Sequence, residues 1–142
     1  IQRIHHDYGG DASQIWAEEP SSALVVFRFL QFTGIGPKIA TMATNILARD
    51  FKVPFSDYYS IDISADVHVR RVFGRVEFIE ENDSTEKLIY RARSLSPEFP
   101  GLLDFAAWEI GRSWCRPQTP RCTQCYLAEH CPTAQRREES AD

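Results

Sequence analysis

All four cysteine residues of this 142-residue chain lie in its last quarter. Six, two and five residues separate them, in the pattern C-x6-C-x2-C-x5-C formed by Cys115, Cys122, Cys125 and Cys131. Four cysteines this close in sequence can form two disulfides, bind one zinc ion as four thiolates, or hold an iron–sulfur cluster. No secretion signal is visible, and zinc sites usually carry two C-x2-C pairs where this chain has one. The C-terminal quarter is therefore expected to be a loop tied together at four points.

The composition predicts a globular chain. Hydrophobic residues make up 43% and aromatic residues 12%, enough to build a core. No apolar run approaches the roughly 20 residues of a membrane span, so we expect an intracellular protein without membrane contact. The formal net charge of −4 argues mildly against nucleic-acid binding. However, residues 112–125 hold three arginines and no acid, so a polyanion could bind there locally.

Hydrophobic spacing predicts an all-α chain. Helices are expected after Ser21 or Ser22, from about Lys38 to Ala48, after Asp66, after a capping box of Asp83 and Glu86, and from Leu102. Residues 50–64 read as a long loop, and residues after about 135 read as a solvated tail. The only candidate strand is Val76–Ile79.

A very short glycine turn, Gly34-Ile35-Gly36-Pro37, joins the first two of these helices. Glycine permits positive φ and close approach of another backbone. The exposed N–H groups of such a turn, backed by a helix N-terminus, suit a phosphate oxygen. The alternative is a plain helical corner that binds nothing.

Three segments together resemble the endonuclease III family of helix-hairpin-helix DNA glycosylases with an iron–sulfur loop. They are the hairpin Phe32–Ala40, the segment A-D-V-H-V-R-R-V at 65–72, and the cysteine loop, in the family's order. The resemblance implies a helical domain over 1–111 with its hairpin at about 22–48, an iron–sulfur loop over 112–134 and a tail over 135–142. It also implies that N-terminal helices of the fold are missing, to be supplied by the rest of a longer chain.

The same resemblance assigns roles to residues. Lys38 falls on the family's catalytic lysine and Asp66 on its catalytic aspartate, although Asp57 and Asp62 are rival carboxylates. The four cysteines become ligands of a [4Fe–4S] cluster. DNA contacts are expected from the hairpin and the cysteine loop, through Gly34, Ile35, Gly36, Arg116 and Arg121.

The chemistry of these residue types fits base excision. Breaking an N-glycosidic bond leaves an oxocarbenium-like sugar that a carboxylate can stabilise, and an amine can attack that sugar to form a Schiff base. We therefore expect a DNA glycosylase with AP-lyase activity. It would remove damaged bases, by analogy oxidised pyrimidines, from double-stranded DNA and cleave the abasic site by β-elimination. The alternatives are a non-catalytic DNA-binding module with a structural cluster, and a zinc-binding interaction domain.

Overall fold

The computed structural model describes residues 1–140 and contains helices and turns, with no strand in that range. The α-helices are α1 (Gln2–Tyr8), α2 (Ser22–Leu30), α3 (Pro37–Arg49), α4 (Val67–Arg75), α5 (Thr85–Leu95), α6 (Leu102–Ser113) and α7 (Pro132–Glu139). Short 3₁₀ helices lie at Ala12–Ile15, Cys122–Gln124 and Ala128–His130. The predicted all-α class is confirmed. No helix of these residues is long and apolar enough to cross a membrane.

Side chains that cap helix N-termini set several of these boundaries. The Ser21 hydroxyl accepts a hydrogen bond from the Leu24 amide at 3.2 Å, which starts α2 where the sequence predicts it. Pro37 occupies the first position of α3, where its missing N–H costs nothing. The capping box predicted from Asp83 and Glu86 is wrong. Ser84 caps α5, and its hydroxyl accepts from the Lys87 amide at 3.3 Å.

The predicted strand Val76–Ile79 is also wrong. This segment forms the turn that ends α4, with Glu77 at φ 60° and the Phe78 amide donating to the Phe73 carbonyl at 2.9 Å. The Phe78 ring meets the Phe73 ring edge-on. Its apolar residues therefore cover the core from a turn, with no partner strand beside them.

Two groups of buried side chains form the core. The first lies among α4, α5 and α6 and includes Val69, Phe73 and Leu88. The second joins Val25 of α2 to Ile61 in the segment between α3 and α4. This long segment has no helix, as predicted, but it is packed and contributes several buried residues. Burial of its apolar side chains fixes its path across the protein.

The helices α4 and α6 are in close contact at Gly111. A Cβ atom at this glycine would lie 2.7 Å from the His68 Cβ and 2.9 Å from the His68 carbonyl oxygen. Because glycine has no side chain, the start of α4 can lie directly against α6. This contact places the first residues of α4 against the C-terminal part of α6.

The C-terminal segment begins with the cysteine loop and ends in α7. Exposed residues dominate from 135 onward, but the chain is helical through Glu139. The predicted tail over 135–142 is thus solvated and mostly helical as far as the structure describes it, and residues 141–142 lie outside the described range.

Candidate active site

A cleft of about 310 Å³ opens between α3 and α6. Its walls are formed by Lys38, Met42, Asn45, Ile46, Arg49, Ser64, Asp66, Asp104, Phe105 and Trp108. Lys38 and Asp66, the two residues singled out from the sequence, therefore face the same space although 28 positions separate them. The volume falls within the range that small-ligand sites in proteins occupy.

Lys38 is placed by the glycine turn and by the first turn of α3. It is the second residue of that helix, directly after Pro37, and its side chain is exposed at the cleft. A short turn that ends in a proline leaves the entry direction of the helix little freedom. The hairpin thus fixes where the amine emerges.

Asp66 is the N-cap of α4. Its Oδ1 accepts hydrogen bonds from the amides of His68 at 2.9 Å and Val69 at 2.8 Å. Its Oδ2 accepts none from residues 1–140. One oxygen therefore holds the carboxylate in place, and the other remains available in the cleft.

The two rival carboxylates do not line this cleft. Asp62 forms a two-pronged ion pair with Arg93, with both N···O distances at 2.8 Å. Asp57 accepts a hydrogen bond of 2.5 Å from the buried Ser22 hydroxyl. Both side chains bind the long segment to neighbouring helices.

Asp104 in α6 is a further carboxyl of the cleft that the sequence analysis missed. It is 8% exposed, and its Oδ1 accepts hydrogen bonds from Ser64, 2.6 Å from the amide and 2.8 Å from the hydroxyl. Burial raises the pKa of Asp104 above its ordinary value of 3.8, and the charge of Asp66 acts in the same direction. The bonds from Ser64 and the charge of Arg49 act in the opposite direction.

An aromatic wall closes one side of the cleft. The rings of Phe105 and Trp108 are stacked with centroids 6.2 Å apart, and the Arg49 guanidinium lies 4.2 Å from the Phe105 centroid. Phe105 is 45% exposed, so its face is accessible. From the sequence, Trp108 is expected simply in the core. In the structure it packs against the core and also lines the cleft.

The hairpin is a tight turn that leaves two backbone amides without an acceptor among residues 1–140. Gly34 has a φ of 88°, a conformation that favours glycine. The Ile35 amide donates to the Phe32 carbonyl at 3.1 Å and so closes the turn. The amides of Gly34 and Gly36 have no acceptor within the described part of the chain. Both glycines are exposed, so a phosphate oxygen could accept from these amides.

The four cysteines line one small cavity of about 30 Å³, together with Trp114. They form no disulfides and are each partly buried. Burial raises the pKa of the Cys125 thiol, and the other three cysteines add to the shift. Within residues 1–140 no three His, Cys, Asp or Glu side chains are placed to hold a metal ion. Four thiols that line one cavity are nevertheless a donor set that both iron–sulfur clusters and zinc ions use.

Two arginines of α4 hold the cysteine loop against the helical domain. Arg71 donates to the Cys115 carbonyl at 2.6 Å and to the Gly111 carbonyl at 2.8 Å. Arg75 donates to the Arg116 and Pro117 carbonyls, both at 2.7 Å, and to the Cys115 sulfur at 3.3 Å. No salt bridge or carboxylate acceptor neutralises these two arginines within the described range, and their guanidinium groups are occupied by the loop's backbone.

Arg116 and Arg121, which the sequence predicts as DNA contacts, lie in that loop. Both residues are exposed, and their side chains donate no hydrogen bond to any of residues 1–140. Their backbones are fixed, because Arg75 binds the Arg116 carbonyl and the Arg121 amide donates to the Trp114 carbonyl at 2.9 Å. The two guanidinium groups are thus presented to solvent from an anchored loop.

These helices reproduce the helix-hairpin-helix DNA glycosylase fold, as comparison with solved structures shows. A trapped endonuclease III–DNA covalent intermediate superimposes with a TM-score of 0.60 at 23% identity, over 96% of this chain and 55% of that one. A non-covalent endonuclease III–DNA complex also gives a TM-score of 0.60, at 22% identity, over 97% of this chain and 56% of that one. The predicted helix-hairpin-helix fold is confirmed.

The sequence comparisons point to the same family. Endonuclease III of Thermotoga maritima is 29% identical over 108 residues, covering 76% of this chain and 46% of that protein. Endonuclease III-like protein 1 of Gallus gallus is 28% identical over 139 residues (94% and 41%), and endonuclease III of Bacillus subtilis is 27% identical over 139 residues (96% and 53%). No protein-family model matches. The chain thus resembles the endonuclease III family, and it spans about half the length of these relatives.

Proposed function

We propose that this chain carries the catalytic centre of a base-excision DNA glycosylase with AP-lyase activity. The observation that carries the proposal is the shared cleft of Lys38 and Asp66. An amine and a carboxylate on one cavity are the groups that imine-forming glycosidic cleavage requires. The names of the relatives agree with this class of activity.

In the proposed reaction the uncharged amine of Lys38 attacks C1′ of the damaged nucleotide and displaces the base. The accessible oxygen of Asp66 stabilises the positive charge that develops on the sugar. Ring opening then gives a Schiff base between Lys38 and C1′, and loss of a proton from C2′ eliminates the 3′ phosphate. Asp66 needs no rearrangement for this role, because its other oxygen is already fixed by the first turn of α4.

The substrate we propose is double-stranded DNA with a damaged base, taken by analogy to be an oxidised pyrimidine. The amides of Gly34 and Gly36, with Ile35 shaping the turn, would bind one phosphate, and Arg116 and Arg121 would bind others. The base would turn out of the duplex into the cleft, where the exposed ring of Phe105 offers a stacking surface.

We also propose that Cys115, Cys122, Cys125 and Cys131 hold a [4Fe–4S] cluster. When bound, the cluster supplies a rigid centre for the loop and takes no part in the excision chemistry. The support is that four thiols, none of them in a disulfide, line one cavity. Elemental analysis of the purified protein tests this assignment, and zinc without iron would overturn it.

Borohydride trapping on an abasic-site duplex tests the catalytic proposal. We expect the unmodified chain to form a covalent adduct with this DNA, and Lys38→Gln to form none, because the amide cannot make a Schiff base. Duplex binding should persist in Lys38→Gln, since the hairpin amides and loop arginines remain. Lys52→Gln is the matched control, because Lys52 is exposed and does not line the cleft.

Two outcomes would contradict the assignment. An adduct with Lys38→Gln would identify another amine as the nucleophile. A chain that binds the abasic duplex but forms no adduct at all would instead be the non-catalytic DNA-binding module.

A further inference from the structure

We propose that Asp104 is a second catalytic carboxyl of the cleft, one that donates a proton to the base as it leaves the sugar. This inference rests on the proposed glycosylase function and adds a residue to it. Asp104 lies outside the three segments that carry the family resemblance, which are the hairpin, the A-D-V-H segment and the cysteine loop.

The position of Asp104 allows contact with a ligand on one side only. The residue is 92% buried, and Ser64 donates both of its hydrogen bonds to the same oxygen, Oδ1. Oδ2 accepts no hydrogen bond from residues 1–140. It is also not one of the solvent-inaccessible polar atoms of these residues that lack a partner, so Oδ2 is accessible. Since Asp104 lines the cleft, Oδ2 is the atom that reaches it.

Burial, more than the neighbouring charges, favours a protonated carboxyl at this place. Asp66 faces Asp104 from the start of α4, and Lys38 and Arg49 line the same space from α3. Burial and the charge of Asp66 raise the pKa of Asp104, despite the opposing effects of Ser64 and Arg49. The carboxyl therefore keeps its proton to a higher pH than an exposed aspartate does, and a carboxyl that holds its proton can act as a general acid.

In the proposed step, Asp104 donates its proton as the glycosidic bond breaks. The nitrogen of Lys38 forms a bond to C1′ while the glycosidic C1′–N bond breaks, and the electron pair of the broken bond passes to the base. The base nitrogen takes the proton from Oδ2 of Asp104, which becomes a carboxylate. The new ammonium of Lys38 then returns a proton to that carboxylate, so Asp104 ends the step as it began.

The competing interpretation is structural, because the Ser64–Asp104 bonds also join the long segment to α6. Asp104→Asn separates the two roles. The amide oxygen accepts the same bonds from Ser64, but the side chain has no acidic proton to give. Ser64→Ala is the matched control, since it removes one of those bonds and keeps the carboxyl.

The experiment measures single-turnover base release from a duplex with one thymine glycol across a range of pH, and trapping on a preformed abasic site. We expect Asp104→Asn to slow base release by about 100-fold, a typical loss for a general acid. Trapping should fall far less, because no base departs from an abasic site. The unmodified chain should lose rate as pH rises and Asp104 loses its proton. The decline should be absent in Asp104→Asn and present in Ser64→Ala.

The outcomes distinguish this inference from the proposed function. If the unmodified chain neither releases base nor is trapped, the glycosylase proposal fails and the role of Asp104 fails with it. If the unmodified chain is active and Asp104→Asn releases base equally fast, only the role of Asp104 is overturned. An equal loss of base release and trapping would assign Asp104 to positioning and overturn its role as proton donor.

Discussion

Asp66 and Asp104 lie in the same cleft, but their hydrogen bonds come from different sources. Asp66 accepts from two amides of its own helix, which are otherwise unpaired at a helix start. Asp104 accepts from Ser64, 40 positions away in sequence. The first carboxylate depends on local structure, and the second depends on tertiary packing.

The raised pKa of Asp104 predicts how stability changes with pH. Well below pH 3.8 the carboxyl is neutral in the folded and unfolded chains, so its ionisation costs the folded state nothing. As pH rises, the unfolded chain releases this proton first, and the free energy of unfolding falls until the folded carboxyl also ionises. Asp104→Asn removes this loss, so the variant should gain stability relative to the unmodified chain as pH rises from 4 to 7. Each unit by which folding raises this pKa lowers the free energy of unfolding of the unmodified chain by about 1.4 kcal/mol once both states are ionised.

Urea unfolding of both proteins at several pH values measures this difference. A constant difference between pH 4 and pH 7 would show that Asp104 ionises as an exposed aspartate does. The same series shows whether Asp104→Asn is folded, which the activity comparison requires.

The source of the hydrogen bonds that hold each aspartate explains which of the two the sequence could predict. Asp66 stands before a helical pattern, which predicts its role as a cap. Its place in the cleft is expected only because the segment around it resembles the family's aspartate segment. Asp104 is one acid within a helix, and nothing in its neighbours indicates burial. Its setting depends on the path of residues 61–64 across α6, which only the folded chain shows.

At the scale of elements, α4 connects the cleft to the cysteine loop. Asp66 lies at its N-terminus, and Arg71 and Arg75 further along it bind the loop backbone. The helix is held against α6, where Gly111 contacts His68. A shift of this one helix would move the carboxylate and the loop together.

Gly111→Ala should therefore destabilise the fold. Its Cβ would meet backbone atoms of His68 at 2.9 and 3.0 Å, and these cannot move without displacing α4. We expect a loss of roughly 1–3 kcal/mol in the free energy of unfolding, measured with urea, in the range typical of overpacked sites. The control is Gly74→Ala in α4, where a Cβ meets nothing within 4 Å. It should gain up to about 1 kcal/mol from helix propensity.

If Gly111→Ala is as stable as the unmodified chain, α4 and α6 tolerate a wider spacing and the contact has little energetic weight.

Hydrophobic periodicity predicts both helices but not their distance, because the distance depends on one residue without a side chain. The start of α5 shows a similar limit. Asp83 and Ser84 are both good caps, and only the structure decides between them.

At the scale of the whole molecule, the arrangement of charge matters more than its sum. The formal net charge is −4, yet four arginines that form no ion pair within residues 1–140 lie in the cysteine loop or bind it. Arg71 and Arg75 are occupied by backbone carbonyls. Arg116 and Arg121 present their guanidinium groups to solvent. The sequence predicts a basic region here, but it does not show that half of these arginines hold the loop while the others remain available.

The availability of the Arg116 and Arg121 side chains predicts the salt dependence of DNA binding. A side chain that binds a phosphate releases about one counterion when the complex forms, so each lost contact reduces the slope of log affinity against log salt by about one unit. Arg116→Ala and Arg121→Ala should each show this reduction on undamaged duplex DNA, with affinity lowered alike for every sequence.

Arg91→Ala is the control for this measurement. Arg91 is an exposed arginine of α5 that donates to the Phe78 carbonyl at 3.1 Å, and it lies outside both the cleft and the cysteine loop. Its loss should leave the slope unchanged, although all three substitutions change the net charge equally. If all three variants lower the slope by the same amount, binding follows net charge alone. Arg116 and Arg121 would then have no specific phosphate contact, and the DNA surface would have to lie elsewhere on the protein.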